Sequence, residues 1–290
     1  MPHNVSSLSW RDVLAAFLAE LSPATASAYG AALRRFYAWY LRRYGEDPVP
    51  QLLTDEEARE WREAMLDEGL RATTVNHRLA ALRSLVRFAG GRLETRGVGT
   101  VPAPVEALTA RDVGRLIAAI RAHQWGASWM AARNEALVAL LVRAGLRIGE
   151  ALNVDVRDVT LQARSGWVLV RWGKGGKERR IPLSAEARKA LRAYLAMRPQ
   201  VDTARLFISR RGRAWDARSA QRMLEDAGRR AGISQRVHPH LLRHTFATRF
   251  LERGGDLGTL QRLLGHTNVA TTSRYLHPTA AQMQAMVEGM

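Results

Sequence analysis

The 290-residue sequence contains no cysteine, which excludes disulfide bonds, thiolate metal ligands and cysteine nucleophiles. It also lacks a long hydrophobic run: its longest purely aliphatic stretch, residues 136–142, is far shorter than the about 18 to 20 residues of a membrane-spanning helix. No basic patch followed by an apolar stretch opens the chain, so we expect no secretory signal and no membrane partner. These absences predict a protein of the prokaryotic cytoplasm.

Lysine is scarce as well, since Lys174, Lys177 and Lys189 are the only three among 44 basic residues. The first two lie in one short glycine-rich segment, Gly-Lys-Gly-Gly-Lys. In a chain that otherwise uses arginine, a retained lysine indicates chemistry that arginine does not perform, because lysine gives up its proton far more readily. Both lysines of the segment fit that reasoning.

Positive charge is in excess and unevenly spread over the chain. The net charge is +17, but residues 1–104 hold 13 arginines against 12 acidic residues, and the remainder holds 31 basic against 15 acidic residues. A field of this strength attracts polyanions. Nucleic acid is therefore the leading expected partner, with a merely soluble basic protein as the alternative, and we expect association with the nucleoid.

The hydrophobic pattern of the first ninety residues is helical. Helices are predicted over residues 10–21, 23–44 and 54–68, and from Thr73 or Thr74 to Ala89, with Ser22-Pro23 and Thr54 as start signals. The stretch from Gly90 to Ala107 is rich in glycine, proline and small residues, which is typical of a connector. We expect an N-terminal DNA-binding helical bundle over residues 1–97, a linker over 98–107 and a second domain over 108–290.

The second domain is predicted to be mainly α with a small β-sheet, that is, α+β. Thr109 caps a first helix, and residues 131–144 form an apolar helix that ends at Gly145. Alternating residues 167–170 and 180–183 flank the lysine-bearing segment and predict a hairpin, after which helices resume at Ala185.

In the N-terminal bundle, six arginines could face a phosphate backbone: Arg34, Arg35, Arg42, Arg43, Arg71 and Arg78.

Three segments carry the chemistry of the second domain. They are AGLRIGEALNVDVRDV (144–159), WGKGGKERRIPL (172–183) and HPHLLRHTFATRF followed by LLGHTNVATTSRY (238–275). Together they resemble the tyrosine recombinase, or phage integrase, family, and are most similar to its Xer-type members. The resemblance covers residues 105–290, and the preceding bundle resembles the core-binding domain of the same family. Gly149 and Ala144 stand where the family often has hydroxyl residues, and neither departure touches the chemistry.

The resemblance implies a role for each of six residues, with Glu150 and Lys177 in supporting roles. Arg147 and Arg243 would clamp the scissile phosphate, His240 and His266 would donate to its oxygens, and Glu150 would orient Arg147. Tyr275 would be the nucleophile and Lys174 the acid for the leaving group, with Lys177 contacting backbone phosphate. It also implies a two-domain clamp around double-stranded DNA, acting as a homo-tetramer on two synapsed sites without metal or cofactor.

The chemistry is consistent with these roles. A phosphodiester under attack gains charge on its non-bridging oxygens, and two guanidinium groups complement that charge well. A tyrosine hydroxyl, with an ordinary pKa of about 10, needs cationic neighbours or a base to attack, and His240 is the candidate base.

Other interpretations stay open for the individual residues. His238, His240 and His244 could be metal ligands, although no acidic residue lies between Val237 and Phe250.

Other classes of protein also stay open. The chain could be a phage or transposon integrase of the same family, a non-catalytic DNA-binding accessory protein or a metal-dependent nuclease. A second recombinase could share the synapse, and Met283, Met286 and Val287 in the C-terminal tail could pack on their own or on a neighbouring subunit.

Overall fold

The computed structural model describes residues 9–99, 106–171 and 178–265. The chain divides into two compact units, Met1–Ala103 and Pro104–Met290. The predicted linker over 98–107 lies partly outside the described residues, so the boundaries 1–97, 98–107 and 108–290 stay a prediction. No helix in the described ranges is both long and apolar enough to cross a bilayer.

In its described residues, 9–99, the first unit is a bundle of four helices. They are α1 (Trp10–Ala19), α2 (Pro23–Tyr44), α3 (Asp55–Asp67) and α4 (Ala72–Phe88), with a short 3-10 turn at Pro50–Leu52. Ser22 caps α2 ahead of Pro23, and Thr54 forms a capping box with Glu57 at the start of α3. An aromatic core that includes Phe36 and Trp61, with ring centroids 5.0 Å apart, holds the helices together.

Two details of this bundle differ from the sequence prediction. Helix α1 ends at Ala19, two residues before the predicted end. Helix α4 begins at Ala72 and not at Thr73 or Thr74, because Arg71 is its N-cap, without a side-chain cap, and its carbonyl accepts from the amides of Thr74 and Val75. Neither difference changes which residues of the bundle are buried in the core.

Over residues 106–171 and 178–265, the second unit contains a helical body and one small sheet. Its helices are α5 (Ala110–Ala122), α6 (Trp129–Arg143), α7 (Ile148–Leu152), α8 (Ala185–Met197), α9 (Ala217–Arg230), α10 (Pro239–Glu252) and α11 (Leu257–Leu264). Its strands are β1 (Val159–Leu161), β2 (Gly166–Val170) and β3 (Arg179–Pro182). The prediction of a mainly helical chain with a small β-sheet is confirmed.

Helix α6 is the centre of this unit. Nearly all of its residues from Ala136 to Val142 are fully buried, and it packs against α5, α8 and α10. It begins at Trp129, two residues before the predicted start, and it ends at Arg143. Gly145 then takes a left-handed backbone conformation (φ 69°), which turns the chain from α6 toward α7.

The sheet is antiparallel with the strand order β1-β2-β3. Val168 lies opposite Ile181 and Val170 opposite Arg179, and the two valines and Ile181 are buried. Since side chains alternate along a strand, Arg179 shares the inner face with Ile181, and Arg180 points the other way. The lysine-bearing segment that joins β2 to β3, residues 172–177, lies outside the described residues.

Candidate active site

Arg147 lies at the junction between α6 and α7, where it is the N-cap of α7. Its backbone N–H donates to Oε2 of Glu150 at 2.9 Å, and its Nη1 donates to Oε1 of the same carboxylate at 2.9 Å. One glutamate therefore fixes both the backbone and the guanidinium of Arg147. The side chain is 34% exposed.

Arg243 lies on α10 and is almost fully buried, with 4% of its surface exposed. Its Nη1 donates to the carbonyl of Gly145 at 2.6 Å, and its Nη2 donates to the carbonyl of Leu264 at 2.7 Å. The first carbonyl belongs to the turn before α7 and the second to the last residue of α11. A single guanidinium thus joins three parts of the chain that are distant in sequence.

The two arginines meet at common partners. Nη1 of Arg147 also donates to the carbonyl of Leu264, at 3.2 Å, and Nη1 of Arg243 is 3.8 Å from Oε2 of Glu150. The structure therefore brings together Arg147 and Arg243, two of the six predicted site residues. Their convergence point lies directly before Gly265 and the predicted site residue His266 in the chain.

Glu150 is buried among these cations. Burial alone would raise its pKa, but the hydrogen bonds from Arg179 and the backbone of Arg147, with the charges of both arginines, hold that pKa below its ordinary value. The carboxylate is therefore ionised at neutral pH. It offsets part of the repulsion that would otherwise separate the clustered guanidinium groups.

His240 is exposed and lies on the first turn of α10. It precedes Arg243 by three residues, so the two side chains lie on the same helix face. His238 caps this helix, with its Nδ1 accepting from the backbone N–H of Leu241 at 3.3 Å. Burial, then the neighbouring His240 and Arg236, lower the pKa of His238, which favours the neutral ring that the cap requires.

The remaining predicted site residues lie outside the described residues. They are Lys174, His266 and Tyr275, together with the alternative Lys177 and the tail residues Met283, Met286 and Val287. The structure does describe what flanks the lysine segment: the paired strands β2 and β3, and Arg171, whose Nε donates to Asp158 at 2.6 Å.

No metal site is found among the described residues. No group of three or more His, Cys, Asp or Glu side chains in the described ranges is arranged to hold an ion.

Sequence reasoning missed Arg179, which joins the same cluster from β3. Its Nη2 donates to Oε2 of Glu150 at 2.8 Å, and its Nε donates to the carbonyl of Leu263 at 3.1 Å. The signal that could have found it is the strand alternation. Arg179 stands two residues before the apolar Ile181, which places it on the inner face of the predicted hairpin.

In the N-terminal unit, three of the six predicted phosphate-facing arginines share a cavity of about 250 Å³. Arg35, Arg42 and Arg78 line it together with Trp39 and Glu68. Burial, and then the charge of Arg35, lowers the pKa of Arg78. Arg43 instead pairs with Glu60 at 3.0 Å. The first group forms a concentrated positive patch beside an aromatic ring.

The chain matches two family models. Residues 106–282 match that of the phage integrase family, and residues 17–92 match that of the phage integrase N-terminal SAM-like domain. With the curated relatives described next, these matches show that the chain belongs to the phage integrase family of tyrosine recombinases. The resemblance inferred from the three motif segments is confirmed.

Curated relatives extend over almost the whole chain. Tyrosine recombinase XerC of Methylobacterium sp. (strain 4-46) is 34% identical, over 97% of this chain and 91% of the relative. Tyrosine recombinase XerD of Mycobacterium tuberculosis (strain CDC 1551 / Oshkosh) is 35% identical, over 91% of this chain and 90% of the relative. The chain is therefore similar to Xer-type recombinases along more than nine-tenths of its length.

Solved structures share the fold. The XerA recombinase is 27% identical, with a TM-score of 0.56 over 96% of this chain and 98% of that chain. A XerH site-specific recombinase bound to palindromic difH substrate, in a post-cleavage complex, is 22% identical, with a TM-score of 0.72 over 91% of this chain and 78% of that chain. A lambda integrase dimer bound to a COC' core site is 18% identical, with a TM-score of 0.67 over 92% of this chain and 95% of that chain.

Proposed function

We propose that this chain is a site-specific DNA recombinase, Xer-like in its action, that cleaves and rejoins DNA strands through a covalent bond to Tyr275. The observation that carries the proposal is the convergence of Arg147 and Arg243 on Glu150 and on the carbonyl of Leu264. This arrangement holds two guanidinium groups in one place before any ligand binds. Fixed cations of this kind stabilise the charge that develops on a phosphodiester during attack.

The proposed reaction conserves bond energy at each step. The Tyr275 oxygen attacks the phosphorus and the bond to the 5′-oxygen breaks, which leaves a 3′-phosphotyrosyl ester and a free 5′-hydroxyl. His240 accepts the tyrosine proton, Lys174 protonates the departing 5′-oxygen, and His266 donates to a non-bridging oxygen. Attack by a 5′-hydroxyl of the partner strand reverses these steps, so strand exchange needs no ATP and no metal ion.

We further propose that two duplex sites are synapsed by a homo-tetramer, in which each chain closes around DNA as a two-domain clamp. The charge distribution supports binding to double-stranded DNA, since the second domain carries most of the net charge. The arginine-lined cavity of the N-terminal unit adds a second positive surface. The size of the assembly is open to measurement by mass photometry on DNA that carries one or two sites.

The experiment that tests the proposed function is covalent trapping on DNA fragments from the source genome. The parent chain should form an adduct that resists denaturation, and sequencing of the attached DNA should reveal the target site. Tyr275→Phe should bind that site with unchanged affinity and form no adduct, because only the nucleophilic oxygen is lost. An adduct that persists in Tyr275→Phe would show that another residue attacks.

The same experiment separates the alternatives. A non-catalytic accessory protein would bind DNA without forming an adduct. A metal-dependent nuclease would cleave without a covalent bond and would stop when EDTA is added. A phage or transposon integrase would give the same adduct, but its recovered sites would lie at the ends of a mobile element.

A further inference from the structure

Arg179 uses its guanidinium to join three structural elements. From β3 it reaches Oε2 of Glu150 at 2.8 Å and the carbonyls of Leu263 and Leu264 at 3.1 and 3.4 Å. Its side chain is 15% exposed, so these contacts lie in a largely desolvated place. Charge-assisted hydrogen bonds are strongest there, because the surrounding dielectric is low.

The two carbonyls are the last ones of α11, where the negative end of the helix dipole lies. Gly265 follows with a left-handed backbone (φ 62°), and a Cβ at this position would come within 2.8 Å of Nη1 of Arg179. Arg179 therefore lies closely against the helix end. The Leu264 carbonyl is also the one that Arg147 and Arg243 share.

We propose that Arg179 is a positioning residue for strand cleavage, which locks Glu150 and the C-terminal end of α11 so that Arg147 and Arg243 keep their spacing. It acts through these partners and does not touch the phosphate. It also links the strand that follows the Lys174 segment to the helix that precedes His266 in the chain. This inference rests on the proposed function for its catalytic consequence.

Kinetics of the full-length protein test that consequence. Single-turnover cleavage is measured at saturating protein, on a nicked duplex that carries the trapped site. Arg179→Ala should cut the rate constant roughly 10²-fold, the usual size of losses from small misplacements at a site. DNA affinity and the fraction of DNA that is finally attached to protein should stay within threefold of the parent, and Arg179→Lys should recover part of the rate.

Arg180→Ala is the matched control, since Arg180 is the next residue of β3, is exposed and lies over the ring of Trp167 at 5.8 Å. Its cleavage rate should stay within threefold of the parent. Combining Arg179→Ala with Glu150→Gln adds a second criterion. If both act in one cluster, the joint loss in rate should be at least fivefold smaller than the product of the two single losses.

Hydrogen–deuterium exchange tests the anchoring without any reaction. Amides of residues 257–265 should exchange at least tenfold faster in Arg179→Ala than in the parent or in Arg180→Ala, because α11 loses donors at its last carbonyls. Unchanged exchange, a rate constant within threefold of the parent, or strictly multiplicative losses would each overturn the proposal. A parent protein that forms no adduct refutes the proposed function instead, and the exchange result still decides whether Arg179 anchors α11.

Discussion

At the scale of single residues, the two site arginines differ in their surroundings although the same chemistry is proposed for both. Arg147 is one-third exposed and is held by a carboxylate that approaches from one side. Arg243 is buried, and its two Nη atoms donate to backbone carbonyls from two distant segments. Arg243 therefore contributes more to the stability of the folded unit than Arg147, whose side chain is partly open to solvent.

This difference predicts separable effects of two alanine variants. Arg147→Ala and Arg243→Ala should each lower single-turnover cleavage by several orders of magnitude, while DNA binding weakens only modestly. Arg243→Ala should in addition destabilise the fold by roughly 3 kcal/mol, because it leaves a cavity and removes the guanidinium donor from the carbonyl of buried Gly145. Arg147→Ala should cost less than about 1 kcal/mol. Adduct formation, gel-shift affinity and thermal unfolding measure the three quantities.

Equal losses in binding and cleavage would instead make these arginines ordinary DNA contacts. Equal changes in the unfolding temperature of the two variants would contradict the structural difference between them. Arg236→Ala is a suitable control, since Arg236 is largely exposed and pairs with Glu225 at 2.6 Å on the surface. It should leave both cleavage and stability close to those of the parent.

The choice between the two lysines is also a prediction at this scale. Lys174→Ala should slow cleavage by roughly 10² to 10⁴, because an alkoxide leaves poorly without an acid. When sulfur replaces the bridging 5′-oxygen, the leaving group needs no proton, so Lys174→Ala should cleave nearly as fast as the parent. Arg147→Ala should stay slow on the same substrate. Rescue of Lys177→Ala, with none for Lys174→Ala, would reverse the assignment.

At the scale of elements, local signals and long-range contacts differ in how well sequence predicts them. Ser22-Pro23, Thr54 and Thr109 mark helix starts because a cap acts within its own four residues. The hydrogen-bond partners of Arg243 lie 21 and 98 positions away along the chain, at Leu264 and Gly145. Those of Arg179 lie 29 to 85 positions away, from Glu150 to Leu264. Spacing along the chain carries no such information, and the motif resemblance identified Arg243 without showing that it is buried.

The turn after α6 gives a prediction for one element. Gly145 has a φ of 69°, its carbonyl accepts from Arg243, and a Cβ there would meet the ring of Phe246 at 2.4 Å. Gly145→Ala should therefore move the carbonyl, reduce cleavage at least tenfold and destabilise the fold by more than the about 1 to 2 kcal/mol of left-handed strain alone. Adduct kinetics and thermal unfolding measure both effects.

Gly45 provides the control for that variant. It also has a left-handed backbone, with a φ of 77°, but an added Cβ would meet nothing within 4 Å. Gly45→Ala should thus show the backbone strain alone, with the cleavage rate unchanged. If both alanine variants cost the same stability and leave cleavage intact, the contact between Gly145 and Phe246 has no role in holding Arg243.

At the scale of the whole molecule, charge and chemistry are distributed differently between the two parts of the chain. Residues 1–104 are nearly neutral overall, yet the acidic helix α3 concentrates negative charge and leaves a surplus of arginine on the other helices. Arg35, Arg42 and Arg78 belong to that surplus, and the cavity that they line also includes Glu68 at the end of α3. A small net charge therefore does not exclude a strong local contribution of the N-terminal unit to DNA binding.

This distribution predicts how DNA affinity depends on salt. The logarithm of the binding constant should fall linearly with the logarithm of salt concentration, with a slope of about −0.9 for each phosphate contacted on duplex DNA. Arg42→Ala, which removes an exposed arginine from the cavity, should weaken binding to all sequences alike and reduce the slope by about 1. Arg59→Ala on the acidic helix α3 should change neither, since Arg59 donates locally to the carbonyl of Asp55. Fluorescence anisotropy with duplex DNA at several salt concentrations measures these slopes, and an equal reduction for both variants would mean that the cavity is not a phosphate-binding surface.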